Sequence, residues 1–247
     1  EHEWRIAVDE YAGMGIRLDA SLKRALAVDE RLYGPEHGTL VWDAYNLGTI
    51  LYYEDSSDRA KPALEQALAI AECALGPEHP RVAQIANTLG KVLFEIGDTA
   101  QASKAFERAV QLPNPDSPDL PTAFSNLGID LHKRYARSGR LDDLEKAIMA
   151  YQQAIKLLPS DSPNLASNLA DLGISLHDRY AQINVVSDLD QAIALLQQAV
   201  KRTPVDSPEL SDRLKKLGDA LSDRYNVSGL AQDLEETIHL YAQALEV

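Results

Sequence analysis

Apolar residues along this chain return every three or four positions and never alternate one-in-two for the length of a strand, which predicts helices throughout. In the segment around "LGISLHDRYAQ", for example, Leu169, Leu172, Leu176 and Tyr180 share one helical face. A second kind of segment carries a small residue, an apolar residue four later and an alanine three after that. Ala60-Leu64-Ala67, Ala102-Phe106-Ala109, Ala147-Tyr151-Ala154 and Ala192-Leu196-Ala199 all follow it. The two kinds of segment alternate, so each unit reads as a pair of helices. The first helix of the pair carries Leu47-Gly48, Leu89-Gly90, Leu127-Gly128, Leu172-Gly173 and Leu217-Gly218 in successive units. Glycine at that site costs about 1 kcal/mol of helix propensity but has no side chain, so two helices can cross closely there.

The turns repeat as well. "GPEH" occurs at 34–37 and 76–79, and "DSP" at 116–118, 161–163 and 206–208, giving periods of 42 and then 45 residues. A fixed period of this size is the mark of an array of stacked supersecondary units. Gly76 is expected to end one helix and Pro80 to open the next. In "DSPNL", Asp161 or Ser162 is expected to cap a helix whose first position is Pro163, where the missing N–H costs nothing. Asp143, Asp188 and Asp233, each followed by leucine, are expected to cap the second helices of the last three units. Residues 1–35 read as an irregular first unit, in which Leu22, Ala25 and Leu26 match Leu64, Ala67 and Leu68 and "GMGIRLD" is the turn.

This pattern resembles the tetratricopeptide repeat (TPR), whose units place Leu-Gly on helix A and an alanine, aromatic or leucine, alanine series on helix B. The resemblance implies an all-α, TPR-like α-solenoid of about six helical hairpins coiled into a right-handed superhelix. The units divide as 1–35, 36–77, 78–115, 116–160, 161–205 and 206–247, forming a single array. From Gly48 to Ala60 and from Gly90 to Ala102 the separation is 12, as in an ordinary repeat. The excess of the 42-residue unit therefore falls at the end of helix B, as in the repeats of kinesin light chain. In the last three units Gly128 to Ala147, Gly173 to Ala192 and Gly218 to Thr237 are each 19 apart, which lengthens helix A and its turn. Such long-A repeats resemble those beside CHAT proteases and in NLR-type signalling ATPases.

Charge narrows the partners. Lys and Arg number 24 against 38 Asp and Glu, a formal net charge of −14, which disfavours nucleic acid and would suit a basic protein or peptide. No run of 18 apolar residues marks a membrane span. The one cysteine, Cys73, fits a reducing compartment, so a cytoplasmic location is expected, and its place among helix-B alanines predicts a buried thiol. The chain opens at Glu1 without methionine and ends at Val247 inside a predicted helix, so it is expected to be a piece of a longer protein. With no polar helix after the last unit, the apolar end is expected to be covered by more chain or by a partner.

Reactive residues do not survive the repeat. His177, Asp178, Arg179 and Tyr180 look like a catalytic cluster, but "LHKRY" at 131–135, "LHDRY" at 176–180 and "LSDRY" at 221–225 keep only Leu, Arg and Tyr. Residues needed in every unit serve architecture: the tyrosines lie on the core stripe, and Arg134, Arg179 and Arg224 either pair with Asp143, Asp188 and Asp233 or are solvated. "GMGIRLDA" lacks the Gly-Lys-Ser/Thr of a phosphate loop, and the histidines show no metal-ligand spacing. No catalytic residue, metal site or cofactor is expected, and so no enzyme.

The TPR resemblance places a binding groove on the A helices, at six and three residues before the glycine and one, four and five after it. In the first complete unit these are Trp42, Tyr45, Thr49, Tyr52 and Tyr53, four aromatics in a chain that is 6% aromatic. Lys91 and Phe94 follow in the next unit, then His132 and His177. Asn46 and Asn126, two before the glycine, match the family's asparagine that bonds a peptide backbone; Asn87 stands one residue off that register. Only Lys91 and Lys215 could serve a carboxylate clamp, and they are far apart in sequence. The expected function is non-catalytic recognition of a peptide or partner protein, as the sensor or scaffold arm of a signalling protein. The alternatives are an arm regulating an attached protease or nucleotide-binding domain, and self-assembly through uncapped ends.

Overall fold

The structure, a computed structural model, describes residues 18–34, 37–112 and 118–246. Most of "GMGIRLD", Pro35-Glu36 and Asp116-Ser117 lie outside these residues, as do the side chains of Leu22 and Ala25. The described residues form eleven helices and no strand: α1 (Leu18–Tyr33), α2 (Thr39–Tyr53), α3 (Ser57–Leu75), α4 (Pro80–Glu95), α5 (Thr99–Gln111), α6 (Leu120–Ser138), α7 (Leu141–Leu157), α8 (Leu165–Ile183), α9 (Val186–Arg202), α10 (Leu210–Ser228) and α11 (Ala231–Glu246). Each A helix packs against its own B helix: α2 on α3, α4 on α5, α8 on α9 and α10 on α11. Each B helix also packs against the next A helix, as α3 on α4, α7 on α8 and α9 on α10. This is the all-α, TPR-like solenoid architecture. The helices group into two compact units, residues 1–123 and 124–247.

The glycine of each A helix sets the crossing. A Cβ built on Gly48 would lie 2.5 Å from Leu64, on Gly90 2.5 Å from Phe106, and on Gly128 2.6 Å from Tyr151. On Gly173 and Gly218 it would lie 2.9 Å from Leu196 and 2.8 Å from Tyr241. The obstructing residue is each time the large one that follows the small residue of helix B by four. Around these crossings the cores assemble from helix faces three and four apart. In the first unit Leu40, Val41, Ala44, Ala67, Ile70, Ala71, Val82, Ile85 and Leu112 form one buried cluster. In the second, Leu169, Leu189, Ile193, Leu196, Leu210, Leu214, Leu217 and Leu221 belong to another.

The extra residues of the long units have a defined use. Helices α6, α8 and α10 each have 19 residues, against 15 in α2 and 16 in α4. The added turn brings an arginine onto a buried aspartate nine residues later. Arg179 donates from Nε at 2.7 Å and Nη2 at 2.8 Å to the two carboxylate oxygens of Asp188. Arg224 does the same to Asp233 at 2.8 and 2.7 Å, and Arg134 reaches Asp143 at 3.0 Å. The hydrogen bonds from Arg224 hold the Asp233 carboxyl below the usual carboxylate range. The sequence expectation of caps at these aspartates is thereby corrected. The helices begin two residues earlier, at Leu141, Val186 and Ala231, and the carboxylates turn to arginine instead of to N–H groups. The preceding turn bends through a left-handed residue at one repeat position, Gly139 (φ 69°), Asn184 (φ 60°) and Gly229 (φ 69°).

Two other boundary expectations change. Helices α8 and α10 start at Leu165 and Leu210, two residues beyond Pro163 and Pro208, so these prolines lie in the turns and not at the first helical position. Ser162 and Ser207 accept helix-entry turns through their carbonyls, from Leu165 at 3.1 Å and Leu210 at 3.1 Å. By contrast α4 opens at Pro80 as expected, with the His79 ring nitrogen accepting from the Arg81 amide at 3.1 Å. Cys73, expected to be buried, is exposed: it falls on the outer face of α3, between the buried positions Ile70 and Ala71 and the end of the helix.

The arginine–aspartate latch makes a quantitative prediction. Arg179→Met leaves the Asp188 carboxylate buried without its cation and lowers the unfolding free energy by about 3 kcal/mol. Adding Asp188→Leu recovers most of that loss, because no charge is then left buried. Urea denaturation of the single and double variants checks both statements.

Candidate functional site

The aromatic face expected on α2 is present and encloses a pocket in the first unit. Trp42, Tyr45, Asn46, Thr49, Tyr52 and Tyr53 form one wall, and α4 contributes Arg81, Gln84, Asn87, Thr88 and Lys91 to the other. Pro118, Asp119 and Thr122 close one end, around a space of about 710 Å³. Helical spacing explains the wall: residues 42, 45, 49, 52 and 53 follow one another at three, four, three and one, so they share the α2 surface opposite the buried Leu40, Ala44, Leu47 and Leu51.

Within the pocket the side chains hold one another. The guanidinium of Arg81 lies 3.5 Å above the centroid of the Trp42 ring and 6.0 Å from that of Tyr45, a cation–π arrangement. Arg81 also donates to the Gln84 side-chain oxygen. Partial burial lowers the pKa of Arg81, while Tyr45 and Asp119 act to raise it. The Tyr45 hydroxyl and Thr88 Oγ1 are 3.4 Å apart, and Thr49 Oγ1 donates to the Tyr45 carbonyl at 2.8 Å. Burial, aided by a hydrogen bond to the Glu95 carboxylate, pushes the Tyr52 phenol well above its ordinary pKa. Glu95 also accepts from Ser57 Oγ at 2.8 Å. Trp42 and Tyr53 remain half exposed, each at 51%, so they present aromatic surface to anything that enters. Asn87 is almost fully buried, at 6%.

The remaining expected site residues go elsewhere. Phe94 follows the pocket on α4 without lining it, and Asn126, His132 and His177 lie in the second unit. There His132 Nε2 is 2.7 Å from the Asp178 carboxylate, and His177 Nε2 is 2.7 Å from that of Asp223. Each histidine also stacks on the tyrosine three residues later, with ring centroids 6.1 Å apart for Tyr135 and 6.4 Å for Tyr180. These are rungs between neighbouring A helices, joining the position four after one glycine to the position five after the next. Tyr52 and Glu95 occupy the same pair of positions in the first unit.

Several residues that matter in these surfaces were not singled out by the sequence reading. Arg81 sits on the first turn of α4, outside the expected groove register. Asp171 stands two before Gly173, the register of Asn46 and Asn126, which was the signal available to find it. Burial pushes its carboxyl up to about 6, against the opposing influence of His132 and Arg213. Arg213 is itself buried, donating to Thr203 Oγ1 and, at 2.9 Å, to Ser167 Oγ. Ser125 Oγ donates to Asn168 at 2.7 Å in the same unit.

Residues 19–72 and 43–114 match the sequence profile described as tetratricopeptide repeat. Over most of the chain, several solved structures share the fold. The crystal structure of BtubC (BKLC) from P. vanneervenii has 19% identity and a TM-score of 0.65, covering 93% of this chain and 89% of that one. YrrB, described as a TPR protein with an unusual peptide-binding site, has 17% identity and a TM-score of 0.62, covering 90% and 96%. A Podosopora anserina putative kinesin light chain with nearly identical TPR-like repeats has 18% identity and a TM-score of 0.58, covering 85% and 97%. No curated protein sequence matches the chain significantly. TPR folds serve generally as modules of protein–protein interaction and are typically non-catalytic scaffolds. Among the described residues, no group of three or more His, Cys, Asp and Glu could hold a metal ion, and no helix is long and apolar enough to cross a membrane.

Asp171 supplies a test of the electrostatics. Its folded-state pKa of about 6 lies above the ordinary 3.8 of an unfolded chain. Ionisation therefore destabilises the fold as pH rises through that window, and the stability is fully present only below it. Asp171→Asn should leave the melting temperature little changed at pH 4 and raise it at pH 8, by at most roughly 3 kcal/mol of stability. An equal effect at both pH values in thermal melts would contradict the assignment.

Proposed function

We propose that the pocket between α2 and α4 binds an extended segment of a partner protein. The observation that carries this reading is the aromatic wall of Trp42, Tyr45, Tyr52 and Tyr53 facing Arg81 and Lys91 across an open space of about 710 Å³. Rigid aromatic side chains offer large contact area at small entropic cost, and such residues dominate binding energy in interfaces. Asn46 lines the same space with an amide able both to donate and to accept, which suits the backbone of an extended segment. The likeness to YrrB, whose description names a peptide-binding site, supports the reading at the level of fold.

The ligand's chemistry follows from the lining. Arg81 already occupies one face of Trp42, so that face does not await a cation. Arg81 and Lys91 outnumber Asp119 among the lining Lys, Arg, Asp and Glu, and the pocket does not share the acidic sign of the whole chain. An apolar side chain flanked by an acidic one fits better than the basic partner suggested by net charge alone.

An array of nine-residue peptides, each with a central Leu or Phe flanked by either Glu or Lys, tests this. The Glu-flanked set should be retained preferentially. Tyr52→Ala with Tyr53→Ala should weaken the retained peptides by about tenfold or more, the scale of a truncated aromatic anchor. Unchanged retention by the double variant would place binding elsewhere.

A further inference from the structure

Two cations line the α2–α4 pocket, Arg81 and Lys91, and they are held differently. The Arg81 guanidinium is committed: it lies 3.5 Å over the Trp42 ring and donates to the Gln84 side chain. The Asp119 carboxylate, at the same end of the pocket, also acts on its charge. Lys91 makes no hydrogen bond or ion pair with a described residue. The carboxylate placed to satisfy it is that of Glu95, one turn further along α4. Glu95 is instead taken by neighbouring elements, accepting from Ser57 Oγ at 2.8 Å and bonding the Tyr52 phenol. In a chain of net charge −14, the Lys91 ammonium is thus half-buried beside aromatic surface with no carboxylate of the described fold assigned to it.

Two contacts fix where along the pocket Lys91 stands. The hydroxyls of Tyr45 and Thr88 are 3.4 Å apart, and Tyr52 meets Glu95, so α2 and α4 run side by side in the same direction, offset by 43 residues. Lys91 is therefore level with Gly48 and Thr49, between the Tyr45 and Tyr52 rings. Trp42 lies six or seven residues earlier, about 10 Å along the helix axis. Side chains on both helices lean toward their N-termini alike, so this separation carries over to their tips. An extended chain crosses about 10 Å in roughly three residues. We propose that Lys91 alone reads charge in this pocket, taking a ligand carboxylate three residues from the apolar side chain seated on Trp42, while Arg81 is a positioning residue that holds the Trp42 ring. The inference rests on the pocket being the recognition surface and adds to it a register. Discrimination comes from both directions: a carboxylate pairs with the ammonium, and a neutral residue at that place leaves the ammonium covered and without a partner.

Fluorescence anisotropy of the 247-residue chain with labelled nine-residue peptides tests this. Each peptide carries one central Leu, a single Glu one to four positions to either side of it, and neutral residues elsewhere. Binding should be tightest with Glu three residues from Leu on one side, by about fivefold over the all-neutral peptide, the scale of one partly exposed ion pair. Lys91→Met should bring that peptide down to the level of the neutral one, and Lys91→Arg should keep the preference. Arg81→Met should weaken all the peptides alike and leave the preference for the third position in place. If no peptide binds, the pocket is not the recognition surface and this inference falls with that reading. Binding that ignores the position of Glu overturns this inference alone. So does a preference that persists in Lys91→Met or disappears in Arg81→Met.

Discussion

Five times among the described residues a glycine lies directly beneath the large side chain of the partner helix, and at each crossing even one added methyl carbon would come within 2.9 Å of that side chain. This close approach fixes which face of each A helix meets its B helix. Once that face is fixed, helical geometry distributes everything else: positions three and four away form the core, and the opposite positions look outward. The aromatic wall of α2 exists because the glycine-bearing face is turned inward. Trp42, Tyr45, Tyr52 and Tyr53 occupy the surface that is left, opposite α4 with Arg81 and Lys91.

The two halves of the chain elaborate this crossing differently. In the first unit the A helices are short, and the space between α2 and α4 remains open as a pocket. In the second unit each A helix is lengthened, and the added turn secures it through an arginine paired with a buried aspartate. The corresponding outward positions are joined from one A helix to the next, by His132 to Asp178 and His177 to Asp223. Side chains committed to such rungs are less available to a ligand than Trp42 or Tyr53. On the proposed reading, recognition in one unit and reinforcement in the other use the same repeat positions.

Repetition made the helical fold legible from sequence, because the glycine and its covering residue recur at constant separation. Repetition also removed the apparent catalytic cluster, since "LHDRY" loses its histidine one unit later. Features that depend on a contact between different repeats were less visible. Arg81 lies on the first turn of α4, and only the packing of α4 beside α2 brings it over Trp42. Asp143, Asp188 and Asp233 were misread as caps because a helix-opening aspartate has two competing uses. The N–H groups of the first turn compete with an arginine nine residues earlier, and sequence spacing alone does not decide between them. Cys73 was misplaced for a related reason, since a run of alanines marks both faces of a helix alike.

Photo-crosslinking tests the central claim, that the α2–α4 pocket is the recognition surface, most directly. p-Benzoylphenylalanine would replace Tyr53 in one preparation and Met149, an exposed residue of α7, in another. Each would be irradiated with a retained Glu-flanked peptide. The account predicts a covalent adduct through position 53 and none through 149. Equal labelling at 149, or bound peptide that never couples at 53, would contradict it.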